Sequence, residues 1–499
     1  MLKAFSILFS GNLVGKILGA IREMIIAAFY GTSAPAAALR ISQSATLIPV
    51  NFFTAESLNA VFVPLYSKYK IENIQRANNF AWFMFILITT IAIILSLILY
   101  YGARIWVTLL APGFSEPAIQ ITVLFVEIMS IGIPFYLMTS VISYYEISNK
   151  IYLMSSIRAS IQSLGLIIGA LSAYYFNSLS YLAWGFSGAY IYLFFHGVFN
   201  LYRKKLIVLP YFDLEEVKNI ASDFWKLLRP LLLIPFILQG NIITEKVVAS
   251  LLGIGVVASL DYAKFISETG LLLIAVPIGT IWLSELSNAT KYRVESMLHK
   301  MIPVLLMITI PLSLFLICNS EEIISLFYAR GAFNDESIQL TKSIFIGISI
   351  GLWATITAYI LQKVLNAQMQ NKVVVKIMAM SVIVNITANV CLYKFLGPLT
   401  LGLSSSLYGI IYLILASYKL EILRMVLKNI ILVGAGALIY VPIELLISGD
   451  ILISLIISSM LFIIFWVLYF LSIKSLRNAI MPAITSKLKK TNKVTSIGE

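Results

Sequence analysis

The chain has 499 residues, of which 60% are hydrophobic and 12% are charged, with a mean hydropathy of +0.93 and a net charge of +13. This composition excludes a soluble globular protein, because so apolar a surface would aggregate in water, and it indicates a protein dissolved in a lipid bilayer. The positive excess lies in a few loops, where it indicates orientation in the membrane rather than nucleic-acid binding.

Fourteen long apolar stretches predict an all-α polytopic membrane protein with about fourteen transmembrane helices. A bilayer core needs about 20 helical residues per crossing, and each stretch reaches that length. The predicted spans lie near residues 9–30, 43–66, 79–103, 118–144, 151–175, 181–202, 226–252, 258–286, 300–319, 340–363, 372–393, 399–420, 427–447 and 451–473.

Loops that follow even-numbered spans are rich in lysine and arginine. These loops contain Lys68, Lys70, Arg76, Arg203, Lys204, Lys205, Lys291, Arg293, Lys300, Lys363, Lys372, Lys376, Lys419, Arg424 and Lys428. The tail at 474–499 is also basic, whereas the connections at 176–180, 253–257 and 448–450 contain neither residue type. The positive-inside rule therefore predicts that both termini are cytoplasmic and that the number of spans is even.

Two longer connections interrupt the series of spans. Residues 203–225 mix acidic and apolar side chains and predict an amphipathic helix on the cytoplasmic surface, between spans one to six (1–202) and spans seven to twelve (226–420). The other connection, at 321–339, lies on the outer side. Spans thirteen and fourteen (427–473) form a C-terminal helix pair ahead of the basic tail.

Polar residues concentrate in spans one, two, seven and eight. Charges inside a bilayer are costly and usually face a water-filled cavity or a partner. Lys16 and Glu23 are seven residues apart, so they share one helix face, and Arg22 lies near it. The other polar residues of these spans include Glu56, Ser57, Asn59, Asn241, Thr244, Glu245, Lys246, Asp261, Lys264 and Glu268.

This distribution has two interpretations. The first is a polar cavity for a large anionic head group, because cations in a low-dielectric site attract phosphate and arginine can bind it bidentately. The second is a set of buried ion pairs that fix helix packing, with Glu245 and Lys246 as one candidate pair.

Catalytic signatures are missing from the sequence. It contains no P-loop and no Ser-His-Asp pattern, and its two histidines cannot assemble a metal cluster. We therefore predict a protein that is not an enzyme and has no metal or cofactor, coupled to the membrane potential or to a monovalent ion.

Several segments resemble the MurJ/MviN family of lipid II flippases within the multidrug/oligosaccharidyl-lipid/polysaccharide exporter superfamily. KILGAIRE in span one is similar to the family's RxxGxxRD signature, and LLAPGF at 109–114 to its loop after span three. FVPLYSKYK at 62–70, the stretches at 249–268 and 277–287, and LFYARGAF at 326–333 follow in the family's order. The resemblance covers most of the chain up to about residue 420.

The resemblance implies two six-helix lobes around a central cavity, two further C-terminal helices, and alternating access of an undecaprenyl-pyrophosphate-linked saccharide. Arg22 matches the signature unchanged and is predicted to bind the pyrophosphate. The other predicted substrate-binding residues are Lys16, Glu23, Lys246, Lys264 and Glu268, and the predicted cavity-lining residues are Arg40, Glu56, Ser57, Asn59, Asn241, Thr244 and Glu245. The expected partners are the lipid-linked glycan and membrane lipids, with no nucleic acid, and the expected state is a monomer.

The chain also departs from the family pattern. Lys16 replaces the first arginine of the signature and Glu23 replaces an aspartate. When the chain is aligned with the family pattern without gaps, Ala37, Val50 and Phe265 occupy three positions that are charged in the family. Lys264 lies beside Phe265, and Arg40 is available to replace lost charge near Ala37.

These departures leave the alternatives of a flippase for an O-antigen or capsule oligosaccharide lipid and, from another class, a multidrug cation exporter or a structural membrane subunit. An exporter of cations favours an excess of acids, whereas here acids and bases are balanced. A scaffold has no need of a charged interior.

Overall fold

A computed structural model describes residues 2–54, 56–211, 213–286, 291–444, 446–447 and 449–474. Regular structure in these residues is helical: eighteen α-helices and one 3-10 turn, Arg229–Leu231. The predicted basic tail lies outside them from residue 475 onward.

The chain divides into two compact units. The first comprises Met1–Tyr262 with Arg330–Ser337, and the second comprises Ala263–Ala329 with Ile338–Glu499. The predicted lobe boundary at 203–225 groups transmembrane spans, whereas the division into units groups residues by their contacts. The lobe boundary therefore stays a prediction.

The first unit contains ten helices and the start of an eleventh. They are α1 Leu2–Tyr30, α2 Ala34–Thr54, α3 Glu56–Glu72, α4 Ile74–Tyr101, α5 Ala103–Leu110, α6 Glu116–Ser148, α7 Leu153–Tyr175, α8 Ser180–Arg203, α9 Leu214–Leu228, α10 Leu233–Leu252 and α11 Ile254–Leu286. The later part of α11 belongs to the second unit, together with α12 Lys291–Cys318, α13 Ser320–Tyr328, most of α14 Asp335–Ala367, α15 Asn371–Leu396, α16 Leu399–Lys419, α17 Leu423–Glu444 and α18 Ile451–Ser472.

Ten of the described helices are long and apolar enough to cross a membrane, and eleven if the bent pair α9 and α10 counts as one span. The ten are α4, α6, α7, α8, α12 and α14 to α18. The remaining predicted spans correspond to α1, α2 with α3, α10 and α11, which are the four where polar residues concentrate. Predicted span two (43–66) covers parts of two helices, and predicted span seven begins at Leu233 rather than 226 because Pro230 interrupts the chain there.

The predicted amphipathic helix of the 203–225 connection is α9, shifted toward its end. Asp213 caps its first turn by accepting from the Glu215 amide at 3.3 Å. Ile220, Phe224 and Leu228 recur at four-residue spacing on its buried face and join the core formed with α3 and α4. Burial of each such side chain contributes about 1.5–3 kcal/mol, which fixes α9 to the first unit.

The outer connection contains more helix than expected, because α13 occupies most of its first half. Its central segment, 330–337, packs in the first unit against the end of α1. The Ala332 amide donates to the Ala28 carbonyl at 2.8 Å, and the Thr32 and Ser337 hydroxyls lie 2.8 Å apart. Gly31 has a φ of +51° and its position faces the Ala332 carbonyl, so a side chain there meets both backbone strain and a clash.

Candidate functional site

Five charged side chains from four helices form a continuous network in the first unit. In order they are Arg22 and Glu23 on α1, Arg40 on α2, Asp261 on α11 and Lys246 on α10, with alternating charge. Predicted spans one, seven and eight therefore contribute side chains to one place, and α2 contributes Arg40, which lies three residues before the predicted start of span two. Water access to that place stays a prediction.

Glu23 is the buried centre of one half of the network. Its Oε1 accepts from Arg22 Nε at 3.0 Å and from Arg40 Nη1 at 3.2 Å, and its Oε2 accepts from Arg40 Nη2. The side chain of Glu23 is 3% exposed and that of Arg40 is 4% exposed, whereas Arg22 is 18% exposed. Arg40 is thus enclosed by its acid partner, while Arg22 keeps a face that a ligand can reach.

The other half of the network joins α10 to α11. Lys246 Nζ lies 2.6 Å from Asp261 Oδ1, and Arg40 Nε lies 3.9 Å from Asp261 Oδ2. The Arg40 Nε completes no hydrogen bond. The buried side-chain oxygens of Gln239 and Asn241, on the same helix as Lys246, complete none either. The site therefore keeps unused hydrogen-bonding capacity.

Tyr262 fixes the network to the end of α1. Its ring lies 5.1 Å from the Arg40 guanidinium and packs edge-on against Phe333, and its hydroxyl donates to the Gly31 carbonyl at 3.0 Å. Because one aromatic side chain contacts both the cation and the short connection after α1, the position of Arg40 depends on that connection.

The network lies at a similar depth on all four helices. Its residues are six to eight positions from the helix ends that flank the connections at 31–33 and 253, about 10 Å at a helical rise of 1.5 Å per residue. Those two connections are predicted to be on the outer side. The charges therefore lie in the half of the first unit nearer its predicted outer surface.

The remaining predicted site residues have different environments. Lys16 is partly buried on α1, Glu245 is buried and accepts from Asn241 at 3.4 Å, and Thr244 donates to the Gly240 carbonyl. Asn59 is exposed on α3. Lys264 and Glu268 lie in the part of α11 that belongs to the second unit, partly buried and exposed respectively, and the side chains of Glu56 and Ser57 lie outside the described residues.

The three positions at which charged family residues are missing are now placed. Ala37 and Val50 are fully buried on α2, and Phe265 is partly buried on α11. Arg40, one turn from Ala37, supplies a buried charge on the same helix. Whether Arg40 replaces charge lost nearby stays a prediction, because the family residue at the position of Ala37 is acidic.

Sequence reasoning missed Arg158 on α7. Its guanidinium lies 4.2 Å from the Tyr136 ring centre and 5.9 Å from that of Tyr190, and its buried Nη2 completes no hydrogen bond. Within the described part of the chain no acidic residue forms an ion pair with Arg158. Tyr190 also lies within electrostatic reach of Arg22, so cations from α1 and α7 both act on its hydroxyl.

Close packing explains how α7 brings Arg158 to α1. A side chain added at Gly15 would lie 2.9 Å from the Ala159 Cβ, next to Arg158. The small residue Gly15 therefore permits the close approach of α1 and α7.

Asp261 was noted in span eight but not chosen as a site residue, although hairpin geometry would have selected it. The connections after α1 and α10 are three residues and one residue long, so positions equidistant from each turn face each other. Glu23 and Arg40 are symmetric about residues 31–33, and Lys246 and Asp261 are symmetric about Gly253. The pairing within each hairpin was thus available from the sequence.

The sequence profile described as "Lipid II flippase MurJ" matches residues 27–483. A probable lipid II flippase MurJ from Buchnera aphidicola is 23% identical over 420 residues, covering 82% of this chain and 81% of the relative.

Two solved structures share the fold. One, "Lipid II flippase MurJ, inward closed conformation", is 22% identical with a TM-score of 0.81, covering 93% of this chain and 98% of that one. An inward-facing multidrug resistance MATE transporter of the MOP superfamily is 12% identical with a TM-score of 0.62, covering 81% and 99%. The flippase structure has fourteen transmembrane helices, which confirms the predicted fold class. Because the family profile matches most of its length, the chain belongs to the MurJ family of lipid II flippases.

Proposed function

We propose that this chain moves lipid II, an undecaprenyl-pyrophosphate-linked saccharide, from the inner to the outer leaflet of the bacterial cytoplasmic membrane by alternating access. Family membership supports the substrate. The roles of individual residues rest on one observation. Arg22 is the last member of a buried network of ion pairs, and one face of its side chain stays exposed.

Arg22 is the proposed contact to the pyrophosphate. Glu23 accepts from its Nε and Nη2 and so holds the guanidinium plane. The remaining N–H donors can bind phosphate oxygens, and arginine binds such groups bidentately. Since Arg40 already compensates Glu23, a bound anion at Arg22 does not leave the Glu23 carboxylate alone.

Arg158 is the proposed second cation. A partly buried guanidinium whose Nη2 is enclosed, with no acid partner in the described residues, is unfavourable by itself, and an anionic ligand reduces that penalty. Its stacking on Tyr136 holds the side chain in place before the ligand arrives. Lys246 is bound to Asp261, so we assign it a supporting role.

The transport cycle proposed here moves an intact lipid and forms or breaks no covalent bond. Both termini lie in the cytoplasm, the chain acts as a monomer, and the membrane potential or a monovalent ion supplies direction. The prenyl tail stays in the membrane while the head group crosses.

The network disfavours the rival exporter of soluble cations. It contains three cations and two acids, whereas a cation carrier needs an excess of acid. A flippase for an O-antigen or capsule lipid binds the same pyrophosphate group. The two candidates are therefore distinguished by the sugar of the lipid that accumulates.

Depletion of the protein, followed by mass spectrometry of the lipid-linked glycans in the inner leaflet, tests the proposal. We expect lipid II to accumulate inside and peptidoglycan synthesis to stop. Accumulation of another undecaprenyl-linked oligosaccharide with normal lipid II would contradict the substrate while keeping the mechanism.

A further inference from the structure

The C-terminal helix pair contains a buried polar cluster that the flippase function does not use. The cluster consists of Tyr440 and Glu444 on α17 and Ser454 and Ser458 on α18. The apolar window of α18 has a mean hydropathy of 2.8, and its buried residues are the two serines and Trp466. The most apolar span thus turns its hydroxyl groups, rather than its isoleucines, toward its neighbour.

Glu444 is a buried carboxylate that is only half satisfied. The residue is 5% exposed, and its Oε1 accepts from Asn319 Nδ2 at 2.8 Å. Its Oε2 is buried and completes no hydrogen bond. No lysine or arginine of the described ranges forms an ion pair with it, so the Glu444 charge has no cationic partner there.

The hydroxyl groups around this oxygen are also unsatisfied. The Tyr440 hydroxyl faces both the Glu444 carboxylate and Ser458. The hydroxyl oxygens of Tyr440, Ser454 and Ser458 are buried, and none completes a hydrogen bond.

Helix geometry brings these groups together. Tyr440 and Glu444, like Ser454 and Ser458, are four residues apart, so each pair occupies one face of its helix. Tyr440 lies near Glu444 and Ser458, and Ser454 is one helical turn from Ser458. Buried oxygens that complete no hydrogen bond cost about 1–3 kcal/mol each, so this group is unfavourable unless something binds it.

We propose that Glu444, Tyr440, Ser454 and Ser458 bind one sodium ion. All four groups offer oxygen, the donor atom that hard cations prefer. One carboxylate balances a single positive charge, which favours a monovalent ion over a divalent one. Asn319 holds the carboxylate from behind and orients Oε2 toward the hydroxyls.

Neighbouring groups do not change this choice of ion. The Cys318 thiol lies within electrostatic reach of Glu444, but sulfur is a soft ligand that sodium does not prefer. The Trp466 indole carries only an N–H donor, which repels a cation. The cluster shares no residue with the Arg22 network, so the site does not depend on which lipid is moved.

Binding of radioactive sodium to the purified full-length chain in nanodiscs, together with melting curves, tests the proposal. We expect the Tm to rise with sodium chloride more than with N-methylglucamine chloride at equal ionic strength. Glu444→Gln keeps the shape of the side chain but removes its charge, so it lowers the binding stoichiometry by one ion per chain. Ser458→Ala removes one ligand and weakens that site at least about tenfold.

Asp450→Asn is the matched control. Asp450 is an exposed acid just before α18, and its side chain makes no capping bond, so the variant keeps sodium binding and the Tm shift. Wild-type stoichiometry and affinity in both Glu444→Gln and Ser458→Ala would overturn the proposal. So would equal Tm shifts in the two salts, which would reduce the effect to ionic strength. If Glu444→Gln does not fold, the affinity of Ser458→Ala decides.

Discussion

At the scale of single residues, the exposed fraction separates the roles of two arginines that bind the same carboxylate. Arg40 is enclosed between Glu23, Tyr262 and Asp261, which suits a structural role. Arg22 reaches the same Glu23 from a more open position. The difference in surroundings, rather than in residue type, assigns ligand binding to Arg22.

Arg22→Ala is expected to lower transport about 10- to 100-fold, because a charge-assisted hydrogen bond contributes about 1.5–3 kcal/mol. Arg22→Lys should recover only part of the activity, since an ammonium group cannot bind phosphate bidentately. The measurement is lipid II flipping in cells whose only copy is the variant, with its amount in the membrane checked. Arg104→Ala, which removes an exposed arginine, is the control and should transport normally. Normal transport by Arg22→Ala would show that the phosphate site lies elsewhere.

Arg158→Met should separate stability from function. Removal of a partly buried cation that has no acid partner in the described residues relieves a desolvation penalty, so the Tm is expected to match or exceed that of the wild type. Transport should fall if Arg158 binds the pyrophosphate. Melting curves and the flipping assay on the same preparation provide the comparison. A lower Tm with unchanged transport would assign Arg158 to packing alone.

At the scale of helices, sequence patterns identified the spans well because hydropathy depends on local composition. Spans one, two, seven and eight needed more than hydropathy, since charged and polar residues interrupt their apolar stretches. Spans one, seven and eight each contribute charged residues to the Arg22 network, whereas its member on α2, Arg40, lies before the predicted start of span two. What local patterns did not give was Arg158, because its partners Tyr136 and Tyr190 belong to other helices and are joined to it only by packing.

The connection after α1 offers a test of a glycine substitution. Gly31 has a φ of +51° and lies against the Ala332 carbonyl, whereas Gly434, inside α17, has no atom within 4 Å of an added side chain. Gly31→Ala incurs about 1–2 kcal/mol of backbone strain and must also displace Ala332, so its Tm should fall. Gly434→Ala is the control and should keep or raise the Tm, because alanine is favoured over glycine within a helix. An unchanged Tm in Gly31→Ala would mean that neither the backbone conformation of Gly31 nor its contact with Ala332 contributes to stability.

Cysteine accessibility tests whether spans one, two, seven and eight share a water-filled cavity. In a background with Cys318 and Cys391 replaced by alanine, cysteines at Arg22, Ser57, Thr244 and Glu268 should react with a membrane-impermeant thiol reagent. Ile94, which is 53% exposed on the apolar helix α4, provides a lipid-facing control that should stay unreacted. Protection of all four test positions under every condition would favour the alternative of sealed ion pairs.

At the scale of the whole molecule, charge and hydropathy together determine orientation. The net charge of +13 is concentrated in the loops after even-numbered spans and in the tail. Placing those loops in the cytoplasm also places the short connections 31–33 and 253 outside, and with them the nearby Arg22 network. The position of the site in the membrane therefore depends on the predicted topology.

Reporter fusions after Asp450 and after Glu499 test this topology, because they differ by the single span α18. The helix is apolar enough to cross the membrane, and the tail beyond it carries five lysines and one arginine, which resist translocation. Alkaline phosphatase should be active after Asp450 and inactive after Glu499, and green fluorescent protein should give the opposite pattern. A fusion after Arg203, in a basic loop, controls for the cytoplasmic signal. If both test fusions report the same side, an even number of spans is contradicted. If that side is the cytoplasm, the Arg22 network lies nearer the cytoplasmic face instead.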